Sequence, residues 1–135
     1  MITAYFDGGA RSNPGPAGYG VFIVDDHGVV QAELYEPLGI ATNNVAEYRG
    51  LIAALQWAAD RELKQLVVKG DSQLIIEQMR GNYKVKHEGL KPLYLRARML
   101  VMQIGDVRFE HVRREHNSEA DRLSNLAMDA NQTSA

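Results

Sequence analysis

The sequence predicts a single α/β domain in which helices flank one five-stranded mixed sheet. Segments rich in β-branched and aromatic residues come first along the chain, and later ones alternate with amphipathic helices. Because strands joined by helical crossovers usually run parallel, the later strands should lie parallel to the first. A length of 135 residues and a hydrophobic fraction of 45% suit one such domain. We expect it to occupy residues 1–130, with residues 131–135 forming a disordered tail.

The first third of the chain predicts three antiparallel strands. Residues 2–6 and 19–24 are rich in β-branched and aromatic side chains, and residues 29–38 alternate apolar and polar ones. The first connection, residues 8–18, is rich in glycine and proline, and the second is a short Asp-Asp-His-Gly turn. The simplest arrangement for these segments is a meander.

The rest of the chain predicts four helices and two further strands. Strand-like segments cover residues 65–69 and 107–112. Apolar residues recur at helical spacing in four stretches, which are residues 45–59, 74–79, 88–104 and 118–127. The predicted order is therefore β-β-β-α-β-α-α-β-α.

The composition excludes several kinds of site and location. The chain contains no cysteine, which rules out disulfides, thiolate metal sites and a cysteine nucleophile. No apolar run approaches the roughly 18 residues of a membrane span. The N-terminal sequence has no basic leader or cleavage site of the secretory type. We therefore expect a cytoplasmic protein with no membrane partner.

Positive charge is concentrated in the middle of the chain. The formal net charge is −2, which argues against a general binder of polyanions. Residues 61–98 nevertheless hold nine of the 15 lysines and arginines and only four acids. Solvated helix faces and a phosphate-binding surface both explain this excess.

Four acids lie where their carboxylates would meet at one edge of the predicted sheet. Asp7 and Asp71 each follow a strand, and open α/β sheets place their sites at the carboxyl ends of strands. Glu47 and Asp121 lie on or near the apolar side of a helix. Converging carboxylates repel one another unless a cation lies between them. In a chain without cysteine, the natural candidate is a hard divalent cation with oxygen ligands.

Each of these acids also has a purely structural explanation. Asp7 could start a turn, and Asp121 could be a surface acid. Glu47 lies three residues after Asn44, as in a capping box, and Asp71 could cap the second helix. Spacing alone leaves these alternatives open.

Four motifs in the chain resemble those of type 1 ribonucleases H. They are residues 5–9 with 13–20, residues 42–48, residues 70–73 and residues 119–125, in the order of the family. The match runs from about residue 2 to residue 128, and the four motifs together are far more specific than any one alone. The resemblance implies a ribonuclease H-like fold with the sheet order 3-2-1-4-5.

The resemblance also implies an activity and a catalytic group. Members of the family are endonucleases that cut the RNA strand of RNA–DNA hybrids and leave 5′-phosphate and 3′-hydroxyl ends. The implied quartet of Asp7, Glu47, Asp71 and Asp121 would hold two Mg²⁺ or Mn²⁺ ions. Asp7 would bridge the ions. Asp71 and Asp121 would hold the ion that activates the attacking water and Glu47 the other, or these two assignments would be exchanged. We expect a monomer.

Substrate contacts are implied residue by residue. The backbone at Gly8 and Gly9 and several amide side chains would contact the minor groove of the hybrid, where 2′-hydroxyls are exposed. Thr42 would hold a phosphate of the DNA strand. Tyr83 would stack on a deoxyribose, although a packed loop aromatic explains it equally well. The implied amide contacts are Asn13, Asn43, Asn44 and Gln73.

The sequence departs from many relatives at two places. Residues 81–88 are too short for the basic protrusion of the longer enzymes, so the chain resembles a shorter branch of the family. Four basic residues could partly replace that protrusion, namely Arg80, Lys84, Lys86 and Lys91. Many relatives also carry a Gly-His loop before the last motif, whose histidine assists catalysis. Here the loop contains His116, which could take that role or point elsewhere.

Two other functions compete with this interpretation. One is a DEDD-type exonuclease on the same fold, and the other is a non-catalytic module that binds hybrid or double-stranded RNA. A hybrid with blocked ends would distinguish the exonuclease, and metal-dependent turnover would distinguish the binding module.

Overall fold

The computed structural model describes residues 1–133 and follows the predicted order of elements. A short 3-10 turn, Arg114–His116, precedes the last helix. The other elements are β1 (Thr3–Ala10), β2 (Gly15–Val24), β3 (Val30–Ala41), α1 (Asn43–Asp60), β4 (Gln65–Gly70), α2 (Gln73–Met79), α3 (Lys91–Ile104), β5 (Asp106–His111) and α4 (Ser118–Thr133).

The five strands form one mixed sheet in the order β3-β2-β1-β4-β5. The strands β1, β2 and β3 pair antiparallel, whereas β4 pairs parallel with both β1 and β5. This confirms the predicted topology. As a result, the carboxyl ends of β1, β4 and β5 lie at the same edge of the sheet.

Helices cover the sheet on both faces. Val21 and Ile23 of β2 contribute to the main core, which α1, α2 and α3 complete. Gly18 and Gly20, which alternate with them along the strand, face α4 instead. Within residues 1–133, no helix is both long and apolar enough to cross a membrane.

The glycine-rich segment that the sequence predicts as a loop is mostly strand. β1 continues to Ala10, and β2 already begins at Gly15. A Cβ atom on Gly8 would lie 2.6 Å from the Glu47 nitrogen of α1, and one on Gly18 would lie 2.6 Å from the Ala127 Cβ of α4. These glycines allow helices to approach the sheet closely, which is why they stand inside strands. Asp7 therefore lies within β1 and not after it.

The first two helices are capped by side chains other than those of the four acids. The Thr42 hydroxyl, and not the Asn44 side chain, caps α1 by accepting from the Val45 amide at 3.2 Å. The Ser72 hydroxyl caps α2 by accepting from the Ile75 amide at 3.3 Å. Neither Glu47 nor Asp71 is therefore needed as a cap, and both carboxylates are available to a site.

The last helix is longer than predicted. α4 continues to Thr133, so residues 131–133 are helical where the sequence predicts a disordered tail. The Asn131 side chain donates to the carbonyl oxygens of Ala17 and Gly39, at 2.9 and 2.7 Å. These bonds hold the end of α4 against β2 and β3. Residues 134–135 of the predicted tail lie outside the described residues.

Candidate active site

Four acids from four different elements converge at the carboxyl edge of the sheet. Asp7 (β1), Glu47 (α1) and Asp71 (directly after β4) each offer a carboxylate oxygen, and these oxygens lie within 4.8 Å of one another. Asp121 of α4 lines the same cavity, which has a volume of about 380 Å³ and which we call the acidic cavity. The structure thus brings together all four acids that the motifs predict.

Close packing and local hydrogen bonds position Asp7 and Glu47. The Gly8 amide donates to Asp7 Oδ1 at 2.9 Å, and the Ser124 hydroxyl lies 3.4 Å from Asp7 Oδ2. Glu47 reaches the cavity because α1 lies against the backbone at Gly8. A hydrogen bond from Ser72, which also caps α2, reaches the Glu47 carboxylate.

The remaining two acids are held through their main chains. The Asp71 carbonyl oxygen lies 3.3 Å from His111 Nε2. The Asp121 carbonyl accepts from the side chains of Ser124 and Asn125, at 2.9 and 2.8 Å. Because these bonds use only main-chain oxygens, the carboxylates of Asp71 and Asp121 can face the cavity.

A buried amide links the start of α4 to the middle of the site. Asn117 is 1% exposed, and its Nδ2 donates to the Phe6 carbonyl at 3.0 Å, directly before Asp7. This bond sets the position of α4, and therefore of Asp121, relative to β1.

The site is electrostatically costly without a cation. Burial raises the pKa of Asp7 to about 8, and repulsion from Asp71 adds to this effect, as does a hydrogen bond with the Asp121 carboxyl. The Gly8 amide opposes it. Burial, followed by repulsion from Asp71, raises the pKa of Glu47 to about 7, and the hydrogen bond from Ser72 acts in the opposite direction. The fold therefore holds Asp7 and Glu47 where burial and a neighbouring negative charge disfavour their ionised forms.

The donor set fits a hard divalent cation. The clustered ligands of Asp7, Glu47 and Asp71 are all carboxylate oxygens, and the chain has no cysteine. Mg²⁺ and Mn²⁺ prefer such donors. Arg11 also lines the cavity, but it pairs with Asp129 at 2.5 Å. Arg114 is the other basic residue among those that line the cavity, so most of the charge of the four acids is left for a bound cation to neutralise.

These pKa shifts predict how the stability of the metal-free protein depends on pH. An acid whose pKa is raised on folding stabilises the fold below its unfolded pKa of about 4, and this contribution is lost as pH rises through the folded value. For Asp7 and Glu47 the loss should extend to about pH 8. In EDTA, the melting temperature should therefore fall by roughly 5 °C or more between pH 5 and pH 9.

Mg²⁺ should restore more stability at pH 8 than at pH 6, since protons compete for the same oxygens. Thermal melts across this pH range, with and without Mg²⁺, measure both effects. A melting temperature that does not fall with pH in EDTA would contradict the assigned shifts.

The predicted groove residues divide between two adjoining cavities. Gly8, Gly9 and Asn43 line the acidic cavity. Asn43 and Glu47 also line a neighbouring cavity of about 400 Å³, together with Asn13, Thr42 and Asn44. The backbone N–H of Asn43 donates to Asn13 Oδ1 at 2.9 Å, and Asn43 Oδ1 accepts from the backbone N–H of Ala10 at 2.8 Å. Two of the predicted contacts thus hold each other in place at the entrance to the site.

Other predicted contacts lie further away. Gln73 is exposed as the first residue of α2 and does not line the acidic cavity. Tyr83 is 47% exposed and lines a third cavity of about 410 Å³ with Lys84. Lys86 is exposed on the same segment. By contrast, the guanidinium of Arg80 donates to the Phe109 carbonyl at 2.6 and 3.0 Å, so these hydrogen bonds occupy it within the fold.

His116 does not line the acidic cavity. It lines a separate cavity with Tyr5 and Lys69, while Arg114, two residues earlier, lines the acidic cavity. The shorter loop and its 3-10 turn account for this placement. A part for His116 in catalysis remains a prediction.

Sequence reasoning missed several residues of the site. Ser124 and Asn125 fall three and four residues after Asp121, on the same face of α4, so helical spacing within the last motif could have identified them. Arg11 and Met128 also line the cavity. No local sequence signal marks Arg11, because it lies in the loop after β1.

Comparison of sequences places the chain among known proteins. The model of a family described as "Reverse transcriptase-like" matches residues 5–127. A bifunctional protein of Mycobacterium tuberculosis is 51% identical over 130 residues, which are 96% of this chain and 36% of that protein. Ribonuclease HI of Halobacterium salinarum is 43% identical over 95% of this chain and 64% of its own length. The chain thus spans about a third of the first relative and less than two thirds of the second.

Solved structures agree over nearly the whole chain. The N-terminal RNase H domain of the M. tuberculosis protein, solved as a fusion with maltose binding protein, has a TM-score of 0.94 at 48% identity and covers 99% of this chain and 98% of that chain. RNase H1 of H. salinarum has a TM-score of 0.91 at 43% identity, covering 96% and 98%. LC11-RNase H1, solved in complex with an RNA/DNA hybrid, has a TM-score of 0.91 at 42% identity, also covering 96% and 98%.

Proposed function

The chain belongs to the type 1 ribonuclease H family, and on that basis we propose that it is an endoribonuclease acting on the RNA strand of RNA–DNA hybrids. The observation that carries the proposal is the convergence of four carboxylates from four elements in one cavity. A module that only binds nucleic acid has no use for clustered acids that repel both one another and a phosphate. The hybrid bound to LC11-RNase H1 supports the substrate class.

The proposed cofactor is a pair of Mg²⁺ or Mn²⁺ ions. Asp7 would contact both. Asp71 and Asp121 would hold the ion that activates the attacking water and Glu47 the other, or these two assignments would be exchanged. Bound there, divalent ions would lower the pKa of an attacking water and neutralise the charge that develops on the leaving 3′-oxygen. The products would carry 5′-phosphate and 3′-hydroxyl ends.

The remaining residues of the site would bind and orient the hybrid. Asn13, Asn43 and Asn44 lie beside the acids and present amide groups that suit 2′-hydroxyls. Because 2′-hydroxyls do not differ between bases, cleavage should be largely independent of sequence.

We also propose that the protein is a monomer and that it acts in the cytoplasm. The location is supported by its lack of cysteine, which suits a reducing compartment. Gel filtration of the purified protein tests the oligomeric state.

Four substrates, with and without a divalent metal, test the proposed activity. Labelled RNA–DNA hybrid with both ends blocked, the same hybrid with free ends, RNA duplex and DNA duplex are each incubated with EDTA and with Mg²⁺ or Mn²⁺. We expect internal cuts in the RNA strand of the hybrid that require metal and leave 5′-phosphates. Cleavage only of hybrids with free ends would indicate an exonuclease, and binding without turnover would indicate a binding module.

Replacing Asn44 with alanine should weaken substrate binding without affecting the metal. Asn44 lines the cavity beside Glu47, whereas the oxygens of the metal-ligand cluster all belong to carboxylates. Loss of one or two hydrogen bonds should raise KM about three- to tenfold. Steady-state kinetics at several Mg²⁺ concentrations measure this, with Gln31→Ala on β3 as a matched amide control. A shift in the Mg²⁺ dependence instead of KM would contradict a groove contact.

The Lys84→Ala/Lys86→Ala double variant should bind hybrid with a weaker dependence on salt. Both lysines are exposed on the segment that replaces the basic protrusion. Each lost phosphate contact should reduce the log–log salt slope by about 0.9, so we expect a change of roughly 2 with kcat unaltered. The control is the Arg49→Ala/Arg108→Ala variant, which removes the same charge from other exposed positions. An unchanged slope and KM would show that this segment does not bind the substrate.

A further inference from the structure

A second cavity, of about 550 Å³, lies beside the acidic one and takes no part in the proposed chemistry. Its walls carry four basic side chains and one aromatic ring. The lining residues are Tyr5, Lys69, His111, Val112, Arg113 and His116. We call it the basic cavity.

The basic cavity opens on the same face of the sheet as the central acid of the site. Tyr5 and Asp7 are two residues apart on β1, so their side chains project from the same face, about 7 Å apart along the strand. Lys69 is paired with Tyr5 across β1 and β4, and its amino group lies 5.7 Å from the centre of the Tyr5 ring. The ammonium group of Lys69 therefore lies beside the side chains of β1 that share a face with Asp7.

The two cavities also meet at the ends of β4 and β5. His111, which lines the basic cavity, lies 3.3 Å from the Asp71 carbonyl oxygen through its Nε2. Arg113 lines the basic cavity, and the next residue, Arg114, lines the acidic one. The basic cavity therefore lies where a nucleic-acid strand that left the acids on this side would pass.

The charge of the basic cavity suits an anion. Lys69 has one acidic partner, Glu110, at 3.9 Å. No ion pair within residues 1–133 involves Arg113, which is exposed. The imidazole of His116 adds a polar group with a ring N–H. The cavity thus combines a partly neutralised lysine and an unpaired arginine with an imidazole, groups that suit a phosphate.

We propose that the basic cavity binds a backbone phosphate of the RNA strand, one to three nucleotides from the phosphate that is cut. This inference rests on the proposed function. The spacing of about 7 Å between Tyr5 and Asp7 along β1 is short on the scale of a nucleic-acid strand, so a phosphate held here would lie close to the one that is cut. A phosphate held here would fix the path of the RNA strand across the acids without reading its sequence.

The Lys69→Ala/Arg113→Ala variant tests the site. We expect KM for hybrid to rise about tenfold and the log–log salt slope to fall by about 0.9, the value for one phosphate. The kcat should stay within about twofold of the parent, since neither side chain lines the acidic cavity. The Arg49→Ala/Arg108→Ala control has the same net charge and should show neither change. Because Lys69 lies within β4, the single variant Arg113→Ala provides a second test in an exposed loop.

Single uncharged methylphosphonate linkages locate the phosphate. They are placed one at a time in the RNA strand, up to three nucleotides on either side of a unique cleavage site, and at matching positions in the DNA strand. One RNA position should raise KM for the parent but not for the double variant, because both changes remove the same contact.

Equal effects on the parent and the variant at every position would overturn the proposal, and so would sensitivity confined to the DNA strand. Failure of the parent to cut the unmodified hybrid would instead overturn the proposed function, and it is seen before any variant is made.

Discussion

Asp7→Asn is expected to abolish hydrolysis of the hybrid, with a loss of at least about 1,000-fold, or about 4 kcal/mol in the barrier. Asp7 lies at the centre of the acid cluster and is the only one of the four acids on β1. Asparagine has nearly the same shape, but it cannot supply the negative oxygen that a divalent cation requires. Cleavage of labelled hybrid in Mg²⁺ and in Mn²⁺ measures the loss. Activity close to that of the parent would contradict a metal site built on Asp7.

The same substitution should stabilise the metal-free fold at neutral to alkaline pH. The pKa of Asp7 is about 8 in the folded chain, so ionisation of this buried acid opposes folding as pH rises above about 4. Asparagine carries no such charge. We expect a gain of about 1–3 kcal/mol at pH 8 in urea denaturation with EDTA, and a smaller gain at pH 5. Mg²⁺ should stabilise the variant less than the parent.

Asp60→Asn is the matched control for both readouts. Asp60 is an exposed acid at the end of α1, and its carboxylate accepts from Gln56. Its substitution should leave cleavage and the response to Mg²⁺ unchanged. A stabilisation by Asp7→Asn that was independent of pH would show that charge is not its cause.

Gly8→Ala should damage the fold and the site together. A Cβ atom at this position would lie 2.6 Å from the Glu47 nitrogen and closer still to the Ala46 carbonyl group, which are both backbone atoms of α1. The helix would have to move away from β1, and it carries Glu47 with it. We expect a loss of about 2–4 kcal/mol in the free energy of unfolding. At a temperature where the variant is still folded, its affinity for Mg²⁺ should also fall.

Gly9→Ala separates close packing from a general intolerance of side chains in this strand. A Cβ atom on Gly9 would meet the Met128 side chain at 3.5 Å and Asn43 Oδ1 at 3.7 Å, which are ordinary contacts. Its effect on stability should be below about 1 kcal/mol. Urea denaturation of the two variants in parallel gives the comparison. Equal losses would show that the approach of α1 is not what demands glycine at position 8.

Local patterns predicted most of the secondary structure and failed where packing overrode them. Periodicities of two and of 3.6 residues gave the right order of elements, because alternating burial and amphipathic helices leave their mark in any short window. The segment after Asp7 was predicted as a loop because its glycines and prolines are typical of turns. Those glycines are needed within strands because α1 and α4 lie against them.

The sequence by itself determined the fold class, the sheet order through the family motifs, and the identity of the four acids, because residue type and spacing carry that information. Only the tertiary structure decided which alternatives were real. Thr42 and Ser72 take the capping positions, which frees Glu47 and Asp71 for the site. It also decided that His116 lines the basic cavity while Arg114 lines the acidic one. The direction of a loop side chain depends on contacts between segments distant along the chain, and no local window of sequence contains those contacts.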